Sequence, residues 1–152
     1  MIDNFQVQQI RDSVDAILNV RHDEISGTVC QCIAEVLSVD EAKVVPHASL
    51  IDELGAESID FLDLIFRLES AYTIKIPRDG IRLAAQDGLR DGFEHAGVLT
   101  DAGLERLRIL MPEVDAARLT SGLRSHQIPN LFTPETFVRL VAWRLSAQDS
   151  AV

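Results

Sequence analysis

The sequence predicts an all-α protein, and three observations carry that expectation. Apolar residues recur at helical spacing through the longer segments, no run of alternating polarity is long enough for a convincing strand, and proline and glycine fall between the helical patterns. A chain of 152 residues suits one domain or a small domain with an added piece, and its 47% hydrophobic content is enough for a packed core, which excludes a disordered chain.

The elements follow in order. From Asp3, the residues Val7, Ile10, Val14, Ile17 and Leu18 predict a short amphipathic helix with Asp3 or Asn4 as its cap. Ile25, Val29, Ile33, Val36 and Leu37 predict a second, from about Asp23 to Ser38, with Asp23 as N-cap. The stretch PHASLIDELGA, Pro46 to Ala56, holds a proline, a glycine and the apolar anchors Leu50, Ile51 and Leu54, and is expected to be an ordered loop. Ser58 opens a third helix that closes near Tyr72, ahead of Ile74-Lys-Ile-Pro77, because proline disfavours helical geometry at the residue before it. On this helix Asp60 and Asp63 share an outer acidic face, while Ile59, Leu62, Ile65 and Phe66 are expected to point into the bundle.

Beyond Pro77 the character changes. Short helices are expected around Ile81–Leu89, Asp101–Leu110 and Asp115–Leu123, with Thr100 or Asp101 as a cap and Pro112 as a break. Leu83, Leu89, Val98, Leu99, Leu104, Leu107, Leu110, Leu119 and Leu123 recur at helical intervals, so each short helix should bury one face. Helices this short are not stable alone in water and must pack on something larger. Thr133 and Pro134, as N-cap and first helical residue, then start a last helix through Val141 and Trp143.

Charge narrows the function. A formal net charge of −10 makes nucleic acid an unsuitable partner, because binding there depends on neutralising phosphates with lysine and arginine; basic protein surfaces are the natural complement. Residues 23 to 79 hold twelve acidic side chains against four basic ones, a net of −8, whereas residues 80 to 128 hold seven against six, a net of −1. Such an asymmetric field favours rapid, salt-sensitive encounters with basic patches. No segment has the uninterrupted apolar length of a membrane span, and the first residues lack a basic region followed by an apolar run, so a cytoplasmic location is expected. Cys30 and Cys32 stand two apart on a helix, point to different faces, and are expected to be small buried side chains rather than a metal or disulfide pair. His22, His47, His95 and His126 are scattered without partners in sequence, and no catalytic or metal-binding residue is assigned.

Ser58 by itself has an ordinary explanation as a helix N-cap. Its surroundings suggest more. The span from about Glu24 to Pro77, and within it LGAESIDFLDL followed by LESAYTIKIP, resembles the acyl carrier proteins, small four-helix bundles that hold acyl groups as thioesters. In that family the serine of L-G-x-[DE]-S-[LI]-[DE] is the attachment point of 4′-phosphopantetheine, and Ser58 stands at that position. The approach loop at Ala48–Gly55, the acidic neighbours Glu57 and Asp60, and the closing I-x-I-P at Ile74–Pro77 match as well. A phosphodiester at a helix N-terminus faces unpaired N–H groups and the positive end of the helix dipole, and Gly55 permits a turn that leaves the hydroxyl exposed.

The resemblance also implies an organisation. Thr133-Pro-Glu-Thr-Phe137-Val138-Arg-Leu-Val141 fits the last carrier helix, so the carrier bundle is expected over 23–79 plus 129–147, with an additional N-terminal helix at 1–22 and a helical insertion at 80–128. The implied function is a non-enzymatic carrier that presents acyl intermediates to partners in fatty-acid, lipid or polyketide-type biosynthesis. Those partners are a phosphopantetheinyl transferase and acyl-transferring and chain-elongating enzymes with basic patches, which Glu57, Asp60 and Asp63 would engage while Arg67 interrupts the stripe. Three alternatives remain open: an unmodified interaction module, a peptidyl carrier, and an enzyme with its site in the insertion. The insertion itself is expected to wall an acyl pocket, to stabilise the bundle, or to dock a partner.

Overall fold

The computed structural model describes residues 4–150, and among them five α-helices carry the architecture: α1 (Phe5–Leu37), α2 (Ser58–Tyr72), α3 (Gly80–Gln86), α4 (Asp101–Leu110) and α5 (Pro134–Ser150). The all-α class holds apart from a two-stranded antiparallel ribbon, β1 (Glu94–His95) and β2 (Val98–Leu99), which pairs Glu94 with Leu99 and His95 with Val98. Its turn places both Ala96 and Gly97 at positive φ, the geometry that suits a tight hairpin, and alanine in that role is why the sequence gives little warning of it.

The expected break between two N-terminal helices is absent. α1 runs unbroken for 33 residues, roughly 50 Å at the usual rise per residue, and Asp23 lies within it rather than capping it. Asn19 to Asp23 contains neither proline nor glycine, so nothing local stops the helix, and His22 within it meets Glu135 of α5. Val7, Val14, Ile25, Val29 and Ile33 form the buried stripe on the other side. Asn4 occupies the cap position without a capping side-chain hydrogen bond, and Asp3 lies outside the described residues.

α5 is the centre of the molecule. Phe137, Val138, Leu140, Val141, Ala142 and Leu145 are all buried, so it is enclosed on nearly every side. Thr133 caps it as expected, accepting the Thr136 N–H at 3.2 Å. α5 runs antiparallel to α1, as the pairs His22 with Glu135 at 2.8 Å and Asp15 with Arg139 at 3.0 Å require. The first of these gives His22 a partner 113 residues away. Both half-buried cysteines are free thiols, and burial raises the pKa of each.

Residues 80 to 128 share the same core as the rest. Ile81, Ala85, Phe93, Leu104, Leu107, Met111 and Leu119 belong to one continuous apolar cluster with Ile25, Leu64 and Phe137. The α4 expectation is met in its bounds, and Thr100 caps it by accepting the Gly103 N–H. The helix expected over Asp115–Leu123 reduces to a 3-10 turn at Ala116–Arg118, since Asp115 caps only that turn and Gly122 then adopts positive φ. Leu83, expected to be buried, is half exposed on α3. No helix among the described residues is long and apolar enough to cross a membrane.

Candidate functional site

Ser58 is the first residue of α2, and it is exposed. It is not the N-cap. Glu57 occupies that position, and its backbone N–H donates to the Asp60 carboxylate at 2.8 Å, which ties off the entry to the helix. The ordinary explanation for the serine is therefore unsupported, because its hydroxyl makes no hydrogen bond to a described residue and satisfies no helix end. Its location still gives it the positive end of the helix dipole.

The loop before it is fixed by its own backbone. Leu50 N–H donates to Phe132 O at 3.1 Å, Leu54 N–H to Ser49 O at 3.1 Å and Ala56 N–H to Leu50 O at 2.8 Å, while the Ser49 hydroxyl accepts from Asp52 N–H. Leu50 and Ala48 are buried beneath it, and Gly55 takes the positive φ of +76° that turns the chain outward before Ala56. Ser58 is thus presented on a rigid platform rather than on a loose segment.

The rest of α2 is rotated from the expected phase. Leu64 and Leu68 are buried and Phe61 and Ile65 partly so, whereas Ile59 and Phe66 are 69% and 68% exposed and stand on the outer surface. Burial at positions 61, 64, 65 and 68 follows the helical repeat more closely than the expected set, and it was Phe61, edge-on to Phe132 at a centroid distance of 5.7 Å and stacked on Phe137 at 5.9 Å, that decided the phase. The three acids also differ from one another. Glu57 is exposed, Asp60 is engaged in the helix entry, and Asp63 accepts from Arg67 Nε at 3.1 Å. Arg67 reaches on to Glu35 of α1 at 2.9 Å, and these carboxylates, Asp63 foremost, raise its pKa.

A groove of about 610 Å³ begins at Ser58. Its floor is Phe61, Leu62 and Ile65 of α2 with Phe137 and Leu140 of α5, and its far side is formed by residues 76 to 82 and by the 3-10 segment Ser125–Leu131. Residues 80 to 128 supply Gly80, Ile81, Arg82, Ser125, His126 and Ile128 to this lining. None of the nine apolar residues expected to be buried in residues 80 to 128 reaches it: the wall is made by isoleucines, and the leucines other than Leu83 serve the core.

No group of histidine, cysteine, aspartate and glutamate among the described residues is arranged to hold a metal ion. An exposed serine hydroxyl without a partner among the described residues, at the positive end of a helix and at the mouth of a groove, is chemically suited to a phosphodiester-linked arm.

Comparison with known proteins is consistent with this geometry. The family model described as "Phosphopantetheine attachment site" matches residues 27–83. The chain is 44% identical over 54 residues to a protein named "Acyl carrier protein" from Thermotoga maritima, an alignment that spans 36% of this chain and 67% of the relative. No solved structure matches the chain.

Proposed function

Since the chain belongs to the acyl carrier protein family and carries a covalently attached 4′-phosphopantetheine, we propose that Ser58 is the residue that bears the arm. The protein then holds acyl intermediates and presents them to partner enzymes of fatty-acid, lipid or polyketide-type biosynthesis, in the cytoplasm. It makes and breaks no bonds of its own. The arm supplies a terminal thiol on which acyl groups are carried as thioesters; the chain supplies the anchor, the surface that partners recognise and the groove beside them.

The observation that carries this reading is the state of the Ser58 hydroxyl: exposed, without a partner among the described residues, and held at the start of α2 within the matched residues. Glu57 and the exposed apolar residues Ile59 and Phe66 flank it, and this combination of charge and accessible apolar surface suits docking of an enzyme with a basic patch. Asp60 and Asp63 contribute to the field of this face, although each is also tied within the protein.

Incubation with a phosphopantetheinyl transferase and coenzyme A, followed by intact-mass measurement, tests the assignment. One arm is expected on the parent protein and none on Ser58→Ala. A modified Ser58→Ala protein, or an unmodified parent, would overturn the reading and leave the bundle as an interaction module.

A further inference from the structure

The groove beside Ser58 is not lined as a plain hydrocarbon chain would require. Its floor is apolar, but Arg78, Arg82, Ser125 and His126 line it too, with Asp79 as its one carboxylate. In a chain with 14 lysines and arginines against 24 acids, this is a local reversal of charge. Asp79 offsets part of it, since its carboxylate stands 3.6 Å from Arg82 Nη2, and Arg82 Nη1 is further committed to Gln86 at 3.1 Å. Arg78 and His126 are exposed and make no hydrogen bond or ion pair with a described residue. The donors come from separate parts of the chain, Arg78 and Arg82 from around the start of α3 and Ser125 and His126 from the last stretch of the insertion.

Taking Ser58 as the anchor, on which this inference rests, we propose that the groove receives an acyl chain that bears a carboxylate, with Arg78 and His126 as the groups that recognise it. The apolar floor takes the methylene portion, as a ligand groove of this size usually does, and the polar positions fix orientation and select among chains. Arginine suits the task because its planar guanidinium offers paired donors to a carboxylate. A plain hydrocarbon chain in the same groove gains its contact with the floor but leaves these donors without a return for the water they lose. The insertion thereby acquires a role in cargo choice: it contributes the polar residues Ser125 and His126 together with the apolar residues Ile81 and Ile128.

The test loads the full-length protein from coenzyme A thioesters with a phosphopantetheinyl transferase and confirms each product by intact mass. Three forms are compared: the arm alone, a straight acyl chain, and the chain of equal length ending in a carboxylate. The melting temperature of the carboxylate form is expected to exceed that of the plain chain by up to about 4 °C, the size one ion pair between exposed groups produces in a domain of this length. Arg78→Gln and His126→Gln should each reduce that difference and leave the increment from the plain chain unchanged. Amide NMR shifts should move at Arg78, Ser125 and His126 for the carboxylate form only.

Equal increments for the two chains would overturn the proposal while leaving Ser58 as the anchor. So would Arg78→Gln lowering the melting temperature of the form with the arm alone as much as the loaded one, since the arginine would then serve the phosphodiester of the arm. Failure of the parent to accept any arm overturns the Ser58 assignment and this inference together.

Discussion

Arg106 Nε donates to Asn4 Oδ1 at 3.0 Å, and the two residues are 102 positions apart. The bond joins α4 to the start of α1. The same guanidinium donates through Nη1 to Asp87 O at 2.6 Å and to Ala85 O at 3.3 Å, so a buried charge is surrounded by acceptors that close the end of α3. The start of α1 and the segment from α3 to α4 are therefore tied together, and the Asn4 side chain bonds Arg106 instead of capping its own helix.

Arg106→Met should destabilise the protein by about 2–4 kcal/mol, because it removes hydrogen bonds made by a charged donor and leaves the buried Ala85 carbonyl and the partly buried Asp87 carbonyl short of a partner. Urea denaturation measures the loss. Attachment of the arm to Ser58, which Arg106 does not touch, should proceed at the parent rate; a matching loss there would show the two regions to be coupled.

The acids around Ser58 should separate by function. Glu57→Gln removes a charge while keeping an acceptor, so stability should stay within about 0.5 kcal/mol and the transferase reaction should slow, most clearly at low salt. Asp60→Ala should slow the reaction and also cost about 0.5–2 kcal/mol, since the Glu57 N–H loses its acceptor. Ser58→Ala should fall on the stable side of this comparison, because the serine caps nothing. Initial rates at two ionic strengths and thermal melts of the three variants decide it, and a Glu57→Gln protein that reacts at the parent rate in low salt removes Glu57 from the docking surface.

His22 should make stability depend on pH in one direction. Its hydrogen bond to Glu135, with a further contribution from Asp23, raises its pKa in the folded state above the ordinary value near 6.5. A raised folded pKa means that its stabilisation is complete below the unfolded value and is lost as pH rises through the folded one. His22→Asn should accordingly cost more at pH 6 than at pH 8.5, by under about 1 kcal/mol because the side chain is half exposed. A gap that does not change with pH would mean the contact acts without the imidazolium charge.

Gly103→Ala should cost about 1–3 kcal/mol, although alanine is the better helix former. A Cβ at this position would land on the Phe93 carbonyl oxygen, well inside contact distance, and 3.2 Å from Phe93 Cδ1. Backbone stands in the way, so α4 would have to shift off the ribbon that precedes it. Thermal melting of the variant checks this, and an unchanged or raised midpoint would show that α4 shifts freely.

Much of the molecule is determined by the sequence on its own. The loop into Ser58, α2, the cap at Thr100, the end of α4 before Pro112, and the Thr133–Pro134 start of α5 are written in local chemistry: glycine for a left-handed turn, hydroxyls for unpaired N–H groups, and proline where a helix must start or stop. Because Ser58 lies among these local signals, the candidate site was legible with them.

Tertiary structure decided the rest, in each case because the deciding partner lies far along the chain. The continuity of α1 through Asn19–Asp23 depends on α5, where Arg139 and Glu135 meet Asp15 and His22. The rotation of α2 depends on Phe132 and Phe137 packing around Phe61, which turns Ile59 and Phe66 outward against their hydropathy. The groove is assembled from α2, α3, α5 and the 3-10 segment Ser125–Leu131, so no single stretch of sequence carries its mixed lining. Local patterning can specify a helix and its ends, because both are satisfied within a few residues. Which face it buries, and what gathers at its tip, is set by whichever distant side chains complete the packing.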